Sequence, residues 1–127
     1  MIRVVIGVVL ALHGLVHLWF VALALRLVTF RPEMGWSGRS WLLTPLLGDA
    51  ATRSTAAVLL SAAAAAFVVG GLALAGPAAW WRPALVFAAS LSTVVLLVTW
   101  DGGTDLIVQK GAIGVAINVA VLVLLAR

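Results

Sequence analysis

The chain has no cysteine, and among its 127 residues only eight are basic and four acidic. Without cysteine there is no disulfide framework, no thiol redox chemistry and no thiolate metal or iron–sulfur site. Charged residues make up 9% of the chain, where a soluble domain carries about 25%. A water-soluble globule cannot cover its surface with so few, so a soluble enzyme, a nucleic-acid-binding domain and a disordered chain are all excluded. What is there instead is apolar: 65% of residues are hydrophobic, against about 45–50% in soluble domains. The solvent of such a chain is lipid, and the composition reads as an integral membrane protein of one domain. The net charge of +4 does not point to nucleic acid, because the basic residues stand singly between apolar runs. Topology and lipid headgroups account for them better.

A spanning helix needs about 20 predominantly apolar residues. Four runs qualify, at about 4–25, 55–75, 83–100 and 105–126, with a long loop over 26–54. There is neither an Asn-Gly hairpin signal nor a sustained period of two, so helices are the only spanning structure available. The fold class is therefore all-α: a polytopic four-transmembrane-helix bundle. Ser54 or Thr52 is the expected N-cap of the second helix. Gly76-Pro77 ends it, with Gly76 suited to a left-handed cap. Pro83 suits the first turn of the third helix, and Thr104 caps the fourth. Trp19, Trp80, Trp81 and Trp100 fall near span ends, as an aromatic belt requires. The first run resembles a signal peptide in having Arg3 and Ala22-Leu23-Ala24, but its length and two histidines favour a retained span.

Within the long loop, Trp41 to Leu47 is apolar but too short to cross, which suggests an interfacial or re-entrant segment between the first two helices. Arg26, Arg31, Arg39, Arg53 and Lys110 lie on one side of the bundle, and Arg3, Arg82 and Arg127 on the other. The positive-inside rule then places the loop in the cytoplasm and both termini outside the cell inner (plasma) membrane. Lipid offers apolar helices no hydrophobic reason to associate, so small residues supply the contact. Ala62, Ala66 and Gly70 repeat every four residues in the second helix. Ala112, Ala116 and Ala120 do so in the fourth, with Gly114 nearby. Gly14 leaves room for a neighbour in the first.

Polar groups at membrane depth are costly and normally face the protein interior. His13 and His17 are four apart and so share one helix face near mid-membrane. Such a pair suits a divalent metal. A zinc protease, however, needs a Glu after the first His, where this chain has Gly14. A bis-His haem would require a homodimer, since there is no third histidine. The sequence requires no cofactor. Asn118 lies in the fourth helix, within reach of His13. Asp101 ends the third helix, where the macrodipole disfavours an anion, and calls for a partner among Arg3, Lys110, Arg127 and His17. A cluster of His13, His17 and Asn118 is expected, with Asp101 and a third-helix Ser or Thr as further candidates. It serves as interhelical glue or as a ligand or proton site.

The stretch from Ile2 to Leu15, with Arg3, Gly7 and His13-Gly14, resembles the first helix of DoxX-like membrane proteins, which are also small four-helix chains. It is similar as well to uncharacterised small bacterial membrane proteins that combine an early His-Gly-x-x-His with a late Gly-x-x-x-Asn, here Gly114 to Asn118. The chain departs from the DoxX-like pattern at His17, often Lys there, and in its long Trp-containing first loop. The resemblance implies an accessory or interaction subunit tied to redox partners. The alternative is a small proton-coupled transporter, or a protein that binds quinone, lipid, metal or haem as a dimer. With no cysteine and no serine framed by a nucleophile motif, a non-catalytic role is expected. The expected partners are the bilayer and a homo-oligomer or other membrane subunits.

Overall fold

The computed structural model describes residues 1–127. Four helices are long and apolar enough to cross a membrane. They are α1 (Ile2–Ala24), α3 (Asp49–Ala75), α4 (Trp81–Thr99), and α5 (Ile113–Leu125) extended by a π-helical turn over Val108–Ala112. A five-residue helix, α2 (Leu43–Leu47), and a 3-10 turn (Pro32–Met34) lie in the first loop. The chain is an all-helical four-span bundle. Packing runs in the order α1, α3, α4, α5, with α1 and α3 the most intimate pair.

That intimacy comes from glycine. A Cβ built on Gly7 would strike the carbonyl oxygen of Gly71, and one on Gly71 would strike that of Gly7. Only hydrogen fits between the two backbones. Further along, a Cβ on Gly14 would lie 2.5 Å from Phe67 Cβ and 3.0 Å from the Ala64 carbonyl. The buried face of α3 includes Ala56, Leu60, Ala63, Ala64, Phe67, Gly71 and Leu74. The small-residue stripe expected to make contact does so in part: Ala62 is exposed, Ala66 is half-buried against the terminal-end core, and Gly70 is buried against Leu85. The reason is that α3 packs α1 on one flank and α4 on the other, so its buried arc is broader than a single four-residue repeat. In α5, Ala116 and Ala120 likewise face outward, and Asn118 is the one buried residue of the helix.

Several sequence-based boundaries move. α3 begins at Asp49, after Gly48 (φ 81°), and Thr52 donates its hydroxyl to the Gly48 carbonyl rather than capping. Gly76 is extended (φ −92°), not left-handed. Thr104 caps no helix, because the fourth span enters through the π-turn, where Gly111 adopts φ 106°. α1 ends on Arg26 (φ 56°), with Leu27 N–H bonded to the Ala22 carbonyl at 2.9 Å and Arg26 N–H to that of Leu23 at 3.2 Å. This Schellman geometry is usually assigned to glycine. Here the Arg26 side chain pairs with Asp49 at 2.8 Å, which ties the end of α1 to the start of α3.

The first loop is held against the end of the bundle by hydrogen bonds. A helix leaves its last carbonyls without partners, and this loop supplies donors to those of α4 one after another. Trp41 Nε1–H donates to Leu97 O (2.9 Å), Ser40 Oγ–H to Val98 O (2.5 Å), Trp36 Nε1–H to Thr99 O (2.9 Å) and Trp41 N–H to Trp100 O (2.7 Å). Arg53 holds the loop from the other flank through the carbonyls of Leu23 and Ser37 (3.2 and 2.6 Å). The segment thus covers the bundle end, with Leu27, Phe30, Trp41, Leu46 and Leu47 exposed. At the opposite end Arg82 donates to the Leu125 carbonyl, capping α5 (Nε at 3.0 Å).

Candidate functional site: a polar layer beside a cavity

The buried interior has two apolar clusters. One, at the loop end, centres on Phe20, Leu23, Trp36, Leu60 and Val95. The other, at the terminal end, centres on Leu10, Phe67, Leu74 and Leu85. Between these levels three spans each place polar groups: His13 and His17 on α1, Ser92 on α4 and Asn118 on α5. Ser92 and Asn118 are fully buried, and His17 nearly so. The α3 contribution at this level is steric. The Phe67 ring meets His13 edge-on at 4.9 Å between centroids and stacks on His17 at 5.8 Å.

The four polar side chains form one continuous chain. His13 Nε2 lies 3.0 Å from Asn118 Oδ1, Asn118 Nδ2 is 2.7 Å from Ser92 Oγ, and Ser92 Oγ is 2.6 Å from His17 Nε2. His17 Nδ1 faces the backbone carbonyls of His13 and Gly14 at 3.2 and 3.1 Å. No buried side-chain polar atom is left without a partner. Ser92 was a generic third-helix hydroxyl in the sequence. It is singled out by the buried stripe of α4, Leu85, Ala88, Ala89, Ser92, Val95, Leu96 and Thr99, which follows the 3.6-residue period.

Asp101 does not join this cluster. Its Oδ2 pairs with Lys110 Nζ at 3.0 Å, and its Oδ1 accepts from Gly103 N–H at 2.9 Å; Asp105 shares the lysine at 3.2 Å. The π-turn at the start of the fourth span swings Lys110 inward over the end of α4, so the carboxylate finds its cation there rather than at His17. A metal held by both imidazoles is disfavoured by the donor set. Three of the four ring nitrogens already hold hydrogen bonds, the rings stand at 84°, and no third His, Asp or Glu lies close enough to complete a site.

A cavity of about 790 Å³ opens between α1 and α5 on the loop side of the layer. His13, Phe20, Leu96, Ile113 and Ile117 line its depth, and Arg31 and Glu33 sit at its loop end. Neither Arg31 nor Glu33 has an ion-pair partner within the protein. A Cβ on Gly114 would press on Leu96 Cδ1 at 3.3 Å and only touch the His13 ring, at 3.9 Å. A second, apolar cleft of about 330 Å³ lies toward the termini, lined by Leu10, Trp81 and Val121 with Arg3 at its rim. The level of the His13–Asn118 hydrogen bond separates the two.

That bond and the Asn118–Ser92 bond are what the buried part of α5 contributes. Replacing Asn118 with Leu removes both, and interhelical hydrogen bonds in membranes average about 0.6 kcal/mol each. A loss of about 1 kcal/mol is expected in an SDS-unfolding titration, with α5 the first helix to exchange its amides.

No protein-family model, no curated protein and no solved structure matches this chain.

Proposed function

We propose that this chain is a non-catalytic membrane protein that binds a lipid-soluble ligand with a polar end group, of quinone or single-chain lipid type, between α1 and α5. One observation carries the reading. His13 lines an apolar cavity of small-molecule size, and its Nδ1 is the one ring nitrogen of the pair without a protein partner. Binding sites for such ligands are mostly apolar with a few placed polar groups, and an intramembrane imidazole is a functional-site hypothesis by default. In this reading the chain acts as a ligand-holding accessory subunit of DoxX-like type. It sits in the cell inner membrane with its loop end in the cytoplasm, on the count of basic residues.

The test is saturable quenching of tryptophan fluorescence in lipid nanodiscs by a short-chain quinone, added oxidised and, anaerobically, reduced. Trp19 borders the cavity and reports on its occupancy. At least one redox form is expected to bind saturably. His13→Leu should weaken that form about tenfold, the loss of one good hydrogen bond. Ile117→Trp, which fills the cavity from α5, should abolish binding. If both variants bind as the parent does, the reading fails.

A further inference from the structure

The hydrogen-bond chain has a direction, and the backbone sets it. His17 Nδ1 lies between two helix carbonyls, His13 O at 3.2 Å and Gly14 O at 3.1 Å. Carbonyl oxygens only accept, so this nitrogen carries the proton and His17 Nε2 is the acceptor. The 2.6 Å contact at Nε2 is therefore donated by the Ser92 hydroxyl. With its one hydrogen spent, Ser92 Oγ receives a hydrogen from its other neighbour at 2.7 Å, which places the Asn118 amide nitrogen, and not its oxygen, on that side. Asn118 Oδ1 then faces His13 and accepts from Nε2–H at 3.0 Å. An imidazole protonated at Nε2 presents a bare lone pair at Nδ1.

The reverse order would turn an unprotonated Nδ1 of His17 toward two carbonyl oxygens. A proton on both nitrogens of His17 would reverse the Asn118 amide and bury a net positive charge with no carboxylate beside it. Neither suits groups sealed this completely from water.

We infer that the inner wall of the cavity is a hydrogen-bond acceptor, His13 Nδ1, held in that state by Asn118, Ser92 and His17, and that the site therefore takes amphiphiles ending in a hydroxyl, such as a phenol, quinol or alcohol, in preference to ethers or ketones. This rests on the cavity reading above and names its ligand class. Ser92 and Asn118 are positioning residues: they act on the ligand through the tautomer of His13. Loss of the Ser92 hydroxyl frees the Asn118 amide to turn over, so that its NH₂ donates to His13 Nε2 and the His13 proton moves to Nδ1.

The experiment is ¹⁵N-histidine NMR of the full chain in nanodiscs, titrated with a long-chain 4-alkylphenol and, separately, with its methyl ether. In the free protein opposite tautomers are expected, Nε2–H at His13 and Nδ1–H at His17. The phenol should shift His13 Nδ1 and bind about tenfold more tightly than the ether, the worth of one hydrogen bond. In Ser92→Ala, a small substitution that leaves the apolar packing in place, His13 should shift toward Nδ1–H and the phenol should lose its advantage. A resting His13 protonated at Nδ1, or equal binding of the two probes to the parent protein, overturns this inference and leaves the cavity reading intact. Failure of both probes to bind overturns both readings. If Ser92→Ala keeps the parent tautomers and the parent preference, Ser92 has no positioning role and the inference falls.

Discussion

Replacing Gly71 with Val is expected to separate α1 from α3 and to cost about 3 kcal/mol or more, at the upper end of overpacking effects. The size follows from what the new side chain meets. Even a Cβ would overlap the Gly7 carbonyl oxygen, and it would lie 3.0 Å from the Ala11 amide nitrogen and 3.2 Å from Ala11 Cβ. Those obstacles are mostly backbone, so no rotamer change relieves them, and the helices must move apart. Because α1 carries both histidines, the polar layer is lost along with the crossing. The measurement is an SDS-unfolding titration of the purified protein, with Ala62→Val as the control. Ala62 is exposed, so its enlargement should leave stability within about 0.5 kcal/mol, as surface substitutions usually do. Equal effects of the two substitutions would contradict the packing described above and favour the Ala62–Ala66–Gly70 stripe as the contact.

Phe67→Ala is the second large effect. Phe67 is wholly buried, and its ring touches both imidazoles. In a water-soluble core such a truncation costs about 3–5 kcal/mol. In a membrane the unfolded reference is still dissolved in lipid, so much of the transfer free energy cancels and chiefly the lost dispersion contacts remain. A loss of about 2 kcal/mol is therefore expected in the same titration. The ring also fixes where the imidazoles stand, so the variant should broaden the His13 and His17 ring signals in NMR even where the fold survives. Phe67→Leu refills most of the volume and should recover most of the stability without restoring the stacked His17 environment.

Part of the site was legible in the residues. His13 and His17 had to share a face because they are four apart on a helix, and Asn118 had to turn inward because a primary amide has no partner in lipid. Asp101 read correctly as an anion in need of a cation. Its partner depended on the π-turn around Gly111, which no pattern in the sequence announces. Ser92 was one of several third-helix hydroxyls, and only the rotation of α4 distinguishes it from Thr93, whose hydroxyl donates to its own helix at the Ala89 carbonyl. The anchoring of the loop was hidden for a related reason. Trp41 to Leu47 reads as an apolar segment too short to cross, and nothing in its pattern announces that Trp36, Ser40 and Trp41 donate to the open carbonyls of α4.

By itself the sequence determined the solvent, the number of spans and the polar residues that had to be sheltered. Those follow from composition and run length, which are properties of the chain summed locally. Only the tertiary structure decided which faces meet, because in lipid every apolar face is equally soluble and contact is settled by how closely two backbones approach, as Gly7 and Gly71 do. It also decided how the direction set by the α1 carbonyls at His17 reaches His13, because that relay runs through Ser92 on α4 and Asn118 on α5, far away in the chain. The near absence of charge that marks the sequence as a membrane protein is thus what makes four uncharged polar side chains, once brought together, the centre of its chemistry.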